Sequence, residues 1–359
     1  MPVIVSTTTG FPEHYYPQDT LLAAAQEEWT RTRKRDSLSK VLEQFYTNVK
    51  VNGRYLSWHL ERYKELTTFE ERNNAYIETA LELGESTICA LLDDAQMSPQ
   101  EIDQLTVVST TGIAVPSLDA RLMNRIPFSR GMKRLPLFGL GCVGGAAGIA
   151  RTADYLQGHP EEAVILFAVE LCSLTLQRDD LSLANLVASG LFGDGAAAVL
   201  MVGDDHPRAE RMQPGMPRVI DSQSHFFPET EHIMGWDVTN SGFKVLLSAD
   251  IASLAQSEVR PSMDLFLGGH RLTIADIDHW LVHPGGPRVI QALAKGLGLP
   301  DEALALSWET LAEVGNVSSA SVLLILNKTM KRSQPKPGEW GVLMAMGPAF
   351  CAELVLLQW

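Results

Sequence analysis

Short apolar runs alternate along the chain with longer stretches of helical periodicity. The runs "AVILFAVE" (Ala163–Glu170) and "WGVLMAMG" (Trp340–Gly347) have the length and composition of buried strands. Helical spacing of apolar residues marks "SLSKVLEQFYTNV" and "NNAYIETALELGESTICALLDD", so residues 20–94 are predicted to be mostly helical. Strands that alternate with helices are typical of layered α/β folds. The sequence therefore predicts an α/β protein.

The pattern occurs twice in the chain. "SPQEIDQLTVVSTTG" matches "LTIADIDHWLVHPGG" 175 residues later, counted from Ile102 to Ile277. "GCVGGAA" matches "GNVSSAS" 174 residues later, counted from Cys142 to Asn316. Two independent matches that agree within one residue indicate a duplication. We expect two similar βαβ-rich halves that share a core, residues 1–220 and 221–359.

Three chemically useful side chains occupy special places in these halves. Cys142 lies directly before a helix, whose N-terminus favours a thiolate and lowers the cysteine pKa. Asn316 holds the equivalent place in the second half, and His283 ends the apolar strand "HWLVH", where open α/β sheets place ligands. Singly, each is better explained as a core thiol, a helix cap or an ordinary strand-end histidine. Their joint placement favours a catalytic site.

Charge and composition exclude several classes of protein. The 359 residues carry a formal net charge of -14, which opposes binding to nucleic acid. The dense basic cluster "RTRKR" at residues 31–35 is interpreted as a solvated helix face. No apolar run has membrane-spanning length, and the N-terminus lacks the features of a signal peptide, so we expect a cytoplasmic protein. Four scattered cysteines without metal-ligand spacing predict free thiols and no metal site.

Five motifs in order resemble the type III polyketide synthases, the chalcone and stilbene synthase family, and in particular its bacterial-type members. They are "GCVGGAAGIARTADYL", "SGLFGDGAA", "LVHPGGPRVI", "GNVSSASVL" and "GVLMAMGPAFCAELVLL". The resemblance spans Leu105–Trp359 and extends more loosely to the N-terminus. It implies a thiolase-like αβαβα core, a homodimer, and a catalytic triad of Cys142, His283 and Asn316.

The resemblance also implies the reaction and its substrates. An acyl-CoA starter would load onto Cys142, grow by repeated decarboxylative condensation with malonyl-CoA, and cyclise to a pyrone or resorcinol-like product, with no further cofactor. The residue types suit this chemistry, because a thiolate attacks thioesters readily. The imidazole of His283 and the amide of Asn316 can hold an enolate oxygen without a metal.

Cavity and CoA contacts follow from the same resemblance. Phe192 and Phe243 resemble the two gate phenylalanines between the CoA tunnel and the reaction cavity, although core packing is the alternative for both. Cys172 is interpreted equally well as cavity lining or as buried filler. The other predicted cavity residues are Thr110, Thr175, Ser318 and Met346, the last within "AMGPA" in place of the family's glycine-rich loop. Candidate CoA-phosphate contacts are Lys40, Lys50 and Arg54, where solvated charge is the ordinary expectation.

Two other functions remain open from the residues alone. A β-ketoacyl-ACP synthase III uses the same three residue types for a single condensation, and "HPGGP" and "LFGDG" argue against it. A non-catalytic dimeric scaffold of the same fold is opposed by the intact triad. Val115-Pro116 matches the loop that crosses the dimer interface in the family, and a plain turn is the alternative there.

Overall fold

The computed structural model describes residues 1–30, 35–210 and 215–359, so most of the basic cluster at residues 31–35 lies outside the described residues. The strands are β1 (Val3–Gly10), β2 (His14–Pro17), β3 (Gly53–Leu56), β4 (Gln104–Val108), β5 (Lys133–Leu137), β6 (Ala163–Leu171), β7 (Asp194–Val202), β8 (Arg218–Phe226), β9 (Met234–Thr239), β10 (Gly242–Leu247), β11 (His279–Val282), β12 (Trp340–Gly347) and β13 (Cys351–Gln358). The helices are α1 (Gln18–Thr30), α2 (Arg35–Asn48), α3 (Phe69–Ala95), α4 (Leu118–Leu122), α5 (Gly144–Gly158), α6 (Leu183–Leu191), α7 (Ile251–Gly269), α8 (Pro287–Leu297), α9 (Ala305–Val314) and α10 (Ala320–Lys328).

The largest sheet repeats one plan in its two halves. Its strand order is β11-β12-β13-β8-β1-β7-β6-β4-β5. In the first half β4 pairs in parallel with β6, β6 pairs antiparallel with β7, and β7 pairs antiparallel with β1. In the second half β11, β12, β13 and β8 pair in the same sequence and with the same directions. The halves meet through one residue pair, Val3 with Arg218, so they form two sheets that touch at an edge.

Helices cover both outer faces and fill the space between the two sheets. The long helix α3 packs on β1, β6 and β7, while α7 and α8 pack on the outer side of the second half. Helices α5 and α10 lie in the middle, and one apolar cluster joins them to strands of both halves. This helix–sheet–helix–sheet–helix arrangement confirms the predicted layered α/β fold.

The middle helices begin side by side, which brings distant parts of the sequence together. A Cβ atom added at Gly145, in the first turn of α5, would lie 2.1 Å from the backbone oxygen of Ser319, so only glycine permits this approach. Cys142 sits in the 3₁₀ turn before α5, and Asn316 lies four residues before α10. His283 directly follows β11, at the same end of the middle layer.

The remaining strands form two small antiparallel pairs outside this sheet, β2 with β3 across α1 and α2, and the β9–β10 hairpin. Within the ranges that the structure describes, no helix combines the length and the apolar character needed to cross a membrane.

Candidate active site

Eight of the predicted site residues line one cavity of about 420 Å³. They are Cys142, His283, Asn316, Phe192, Cys172, Thr110, Ser318 and Met346. They come from both halves of the chain. The strand ends and helix starts that carry the first three residues therefore converge, as the duplication predicted.

Cys142 is a neutral thiol in this cavity. Burial raises its pKa to about 11, and the nearby carboxylate of Glu170 acts in the same direction. Hydrogen bonding to Ser318, whose Oγ lies 3.5 Å from the Cys142 Sγ, opposes this rise without overcoming it. The sequence predicted a lowered pKa from the helix N-terminus. That prediction is wrong for the free site, because the cost of burying a thiolate exceeds the stabilisation that the helix provides.

His283 is an uncharged, unengaged imidazole. Its side chain is 4% exposed, and burial lowers its pKa to about 3. The backbone N–H of His283 donates to the Met344 carbonyl at 2.8 Å, which anchors the residue to β12. Neither ring nitrogen has a hydrogen-bond partner among the described residues. Both nitrogens are therefore available to a substrate, one as acceptor and one as donor.

Asn316 is held so that its amide nitrogen stays available. Its backbone N–H donates to the Leu191 carbonyl at 2.9 Å, and its carbonyl accepts from the Gly193 N–H at 3.0 Å. The side-chain Oδ1 accepts from the Ser318 N–H at 2.8 Å. Nδ2 makes a long contact of 3.4 Å to the Gly285 carbonyl, and a hydrogen bond of the Asn316 side chain with Cys142 also opposes the rise of the thiol pKa. The oxygen is thus committed, and the amide N–H groups lie beside the thiol, where a substrate carbonyl would be held.

A buried carboxylate that the motif analysis did not assign braces this site. Glu170 is 0% exposed and accepts hydrogen bonds from the Thr110 N–H (3.1 Å), the Thr111 Oγ1 (2.9 Å) and the Ser319 Oγ (2.5 Å). Burial raises the pKa of Glu170, and these donors oppose the rise. Glu170 joins the loop after β4 to the start of α10. The signal in the sequence was a lone charge that ends the apolar run "AVILFAVE".

A second cavity of about 270 Å³ adjoins the first. Cys172, Phe192, Trp236 and Val245 line both cavities, and we call these four side chains the partition. Sequence reasoning found Phe192 and Cys172. It missed Trp236 and Val245, which the β9–β10 hairpin brings to the partition.

Two predicted cavity residues lie elsewhere. Phe243 does not line the cavity of Cys142. It is 3% exposed and packs against Phe69 and Trp236, with ring centroids 5.4 and 6.0 Å apart. Phe243 lies two residues from Val245 on β10, and residues two apart on a strand face the same side. The residue that the resemblance named is therefore on the same face of β10 as a member of the partition. Thr175 lines the second cavity and donates from Oγ1 to the Cys172 carbonyl at 2.8 Å.

The three predicted CoA contacts do not line the cavity of Cys142 either. Lys40 and Lys50 are exposed, on α2 and just beyond it, and line neither cavity. Arg54 is 3% exposed on β3 and lines the second cavity, so the expectation of a solvent-facing charge is wrong for it. The one Lys or Arg among the described residues that line the Cys142 cavity is Arg288, exposed in the first turn of α8. Sequence reasoning passed over it within "HPGGPR".

Two family models match the chain. The N-terminal domain of chalcone and stilbene synthases matches residues 2–206, and the C-terminal domain of the same family matches residues 218–359. The chain belongs to the chalcone and stilbene synthase family.

Bacterial enzymes of similar length are among the relatives of this chalcone and stilbene synthase family member. The 1,3,6,8-tetrahydroxynaphthalene synthase of Streptomyces peucetius subsp. caesius is 46% identical over 99% of this chain and 93% of that protein. The phloroglucinol synthase of Pseudomonas fluorescens is 29% identical over 97% of each. The crystal structure of the Streptomyces coelicolor tetrahydroxynaphthalene synthase, a bacterial type III polyketide synthase, superimposes with a TM-score of 0.90 at 31% identity, covering 99% of both chains. The predicted type III polyketide synthase class is confirmed.

Proposed function

We propose that Cys142 carries the growing chain and that His283 and Asn316 activate the substrates. The observation that supports this most strongly is the meeting of all three in one cavity, where neither ring nitrogen of His283 has a partner among the described residues. CoA thioesters supply the carbon, and these side chains need no cofactor for the chemistry.

In the loading step, the neutral His283 accepts the proton of Cys142 as the sulfur attacks the carbonyl carbon of an acyl-CoA. The C–S bond to CoA then breaks, and the departing CoA thiolate takes the proton from His283. This leaves an acyl thioester on Cys142 and free CoA. A neutral imidazole beside a neutral thiol suits this transfer, because the charges appear only while substrate is bound.

In the extension step, malonyl-CoA loses carbon dioxide, and the electron pair moves onto the thioester oxygen as an enolate. The free N–H groups of Asn316 and of His283 hold that oxygen. The enolate carbon attacks the thioester on Cys142, and the Cys142 thiolate leaves. The chain is now two carbons longer on CoA and is ready to return to Cys142.

We assign a polyhydroxylated aromatic as the product class, because the relative at 46% identity is named for a tetrahydroxynaphthalene and another for phloroglucinol. The pyrone or resorcinol-like product expected from the motifs stays a prediction. Incubation with malonyl-CoA alone, and with a panel of aliphatic and aromatic acyl-CoAs, followed by mass analysis of products separates these outcomes.

We also propose that the chain has two halves, of which residues 1–220 supply Cys142 and residues 221–359 supply His283 and Asn316. The protein works as a homodimer. The loop at Val115 supports the dimer. Val115 is 89% exposed and Ile113 is 41% exposed, and apolar side chains presented in this way mark contact surfaces.

The nucleophile is tested by a matched pair of cysteine variants. Cys142→Ala should abolish acyl loading and product formation, because the other thiol that lines this cavity, Cys172, is buried, which raises its pKa well above the usual value. Cys172→Ser should retain loading and turnover. Intact-protein mass spectrometry after addition of acyl-CoA measures loading directly. An active Cys142→Ala enzyme with an inactive Cys172→Ser enzyme would reverse the assignment.

A further inference from the structure

We propose that Gln177 is a positioning residue that fixes the partition, because it is hydrogen-bonded to the three segments that carry the four partition side chains. This inference rests on the proposed function, since the partition is one wall of the cavity in which Cys142 works. Gln177 itself lines neither that cavity nor the second one. It therefore acts on a substrate only through the segments that it holds.

The β9–β10 hairpin, which supplies Trp236 and Val245, is the segment that most needs an anchor. Within the described residues, its two strands pair with each other and with no strand of the large sheet. A two-stranded hairpin on its own is marginally stable in water at best. The position of the hairpin over the cavity therefore depends on side chains that reach it from other elements.

Gln177 reaches the hairpin from the loop between β6 and α6. Its side chain is buried, and Nε2 donates to the carbonyls of Ser241 and Phe243, each at 3.1 Å. Ser241 lies in the turn of the hairpin, and Phe243 is the second residue of β10. Both acceptors are backbone atoms. These hydrogen bonds therefore fix the course of the strand, whichever side chains it carries.

The same amide holds the segment of Cys172. Nε2 of Gln177 also donates to the Thr175 carbonyl at 3.1 Å. The hydroxyl of Thr175 in turn donates to the Cys172 carbonyl at 2.8 Å. The two N–H groups of one amide thus serve three carbonyls. A side chain without a donor at this position would leave all three carbonyls without this partner, which is costly where water is excluded.

The backbone of Gln177 makes the connection to Phe192. Its carbonyl accepts from Nδ2 of Asn185 at 2.7 Å, and the same Nδ2 donates to the Asp180 carbonyl at 2.7 Å. Asn185 is buried in the first turn of α6, the helix that ends directly before Phe192. The loop is thus fastened to α6 through Asn185 and to the hairpin through Gln177.

Two charged side chains add to the anchoring of the hairpin. Nη2 of Arg72, on α3, donates to the Ser241 carbonyl. Nζ of Lys244, on β10, lies 3.6 Å from Oδ2 of Asp180. The Lys244 side chain is partly exposed, so this ion pair contributes little. Gln177 differs from both because it is buried and joins all three segments.

The consequence is a role in product specificity. If the hairpin were held loosely, Trp236 and Val245 would move relative to Phe192, and the cavity of Cys142 would take more than one shape. A wall with two positions of similar free energy admits more than one length of acyl chain. An enzyme with Gln177 therefore makes a narrower range of products than one that lacks its donors.

The test removes the donors of Gln177 at constant side-chain length. Gln177→Met is the variant. Gln104→Met is the matched control, because Gln104 is also buried but donates to Thr106 at 3.2 Å, at the end of β4 away from the cavity. Gln177→Glu keeps the shape of the side chain and regains one donor when its carboxyl group is protonated. Melting temperatures of all variants accompany each measurement.

The first readout is hydrogen exchange of the hairpin, residues 234–247, which does not depend on turnover. In Gln177→Met these amides should exchange faster on the order of tenfold, because lost hydrogen bonds make local opening easier. The large sheet, and the hairpin of Gln104→Met, should exchange as in the wild type. Wild-type exchange of the hairpin in Gln177→Met would overturn the proposal.

Protonation separates positioning from space filling. As the pH falls from about 8 to about 5, the hairpin of Gln177→Glu should become better protected than that of Gln177→Met at the same pH, because the acid then donates one hydrogen bond. Equal protection of the two variants at every pH would show that Gln177 only fills space.

The second readout is the product distribution from malonyl-CoA. In Gln177→Met the ratio of the main product to its shorter and longer congeners should fall on the order of threefold or more, while Cys142 is still acylated. Gln104→Met should match the wild type. An unchanged distribution in a Gln177→Met enzyme whose hairpin exchanges faster would overturn the role in specificity.

Two further outcomes are also decisive. Arg72→Met should change exchange and products in the same direction as Gln177→Met but less, and wild-type behaviour of this variant would overturn the proposal if the Gln177 variants do not fold. If no protein makes a product, the wild type included, while exchange still distinguishes the variants, the proposed function fails and the positioning of the hairpin by Gln177 stands.

Discussion

At the scale of single residues, the buried and uncharged side chains of Cys142 and His283 define the state of the free enzyme before the reaction. With the pKa of Cys142 raised to about 11 and that of His283 lowered to about 3, neither group is charged near neutral pH. This state differs from a standing thiolate–imidazolium pair. It keeps the nucleophile unreactive towards solvent-borne electrophiles until a substrate arrives.

The protonation state predicts how alkylation of the free enzyme depends on pH. Because only the thiolate reacts, the rate of Cys142 modification by iodoacetamide should rise about tenfold per pH unit between about pH 7 and pH 10. Mass spectrometry of the labelled peptide gives the rate. His283→Gln is the matched control and should leave the slope unchanged. A rate that is already constant below about pH 7 would show that an ion pair forms without substrate.

Single residues also show where sequence reasoning ends. Cys142, His283 and Asn316 were found because each stands at a helix start or strand end inside a recognisable motif. Glu170 and Arg288 were missed, because the role of each depends on contacts with segments far away in the sequence. The raised thiol pKa was missed for the same reason, since burial is a property of the folded chain.

In the β9–β10 hairpin, one residue packs in the core and another lines the cavity of Cys142. Phe243 and Val245 lie on the same face of β10, yet Val245 reaches the partition while Phe243 packs on Phe69. Pattern and periodicity can indicate a strand and its two faces. They do not give the depth along the strand at which a cavity begins, and the residue of β10 that lines the cavities, Val245, lies two positions from the one that the resemblance named.

Two substitutions in this hairpin should therefore behave differently. Phe243→Ala should lower the free energy of unfolding by about 3 to 5 kcal/mol and leave the product profile unchanged, because it leaves a void in the core. Trp236→Ala should change the product profile with a smaller loss of stability, because Trp236 is partly exposed to both cavities. Denaturant unfolding and product analysis are run on both. Altered products from a stable Phe243→Ala enzyme would return that residue to the gate.

Charge acts at the scale of the whole molecule. A protein of net charge -14 repels the phosphates of CoA unless a cation receives them at the entrance, and the described residues lining the Cys142 cavity include one such cation, Arg288. Lys40 and Lys50, the exposed candidates named from the sequence, stay a prediction, because a charge pattern does not reveal which face of a helix meets a cavity.

Arg288→Gln should raise the KM for malonyl-CoA on the order of tenfold with little change in kcat, because the phosphates lie far from the reacting carbon. The KM of the wild type should rise with ionic strength, and that of the variant should rise less. Lys295→Gln, an exposed position on the same helix, is the control and should behave as wild type. A KM that is insensitive to Arg288 would place the CoA phosphates elsewhere.

The proposed dimer is tested at the exposed loop. Val115→Asp should convert the dimer to a monomer, because a carboxylate buried in an apolar contact loses its hydration. Light scattering coupled to size-exclusion chromatography measures the mass. Val238→Asp, at another exposed apolar position on β9, is the control and should leave the mass unchanged. A wild-type chain that elutes as a monomer would refute the dimer outright.

The two sheets touch through a single residue pair, while α5 and α10 lie between them and share one apolar cluster with both. The outer side of the first half has an apolar cluster of its own, but the middle layer draws on both halves, so neither half is complete once the other has unfolded. A chain cut between β7 and β8 would still hold together through the middle helices. Two fragments made separately would each expose that layer and would regain order, and a complete triad, only on meeting. The duplicated sequence thus encodes two complementary pieces of one cooperative unit.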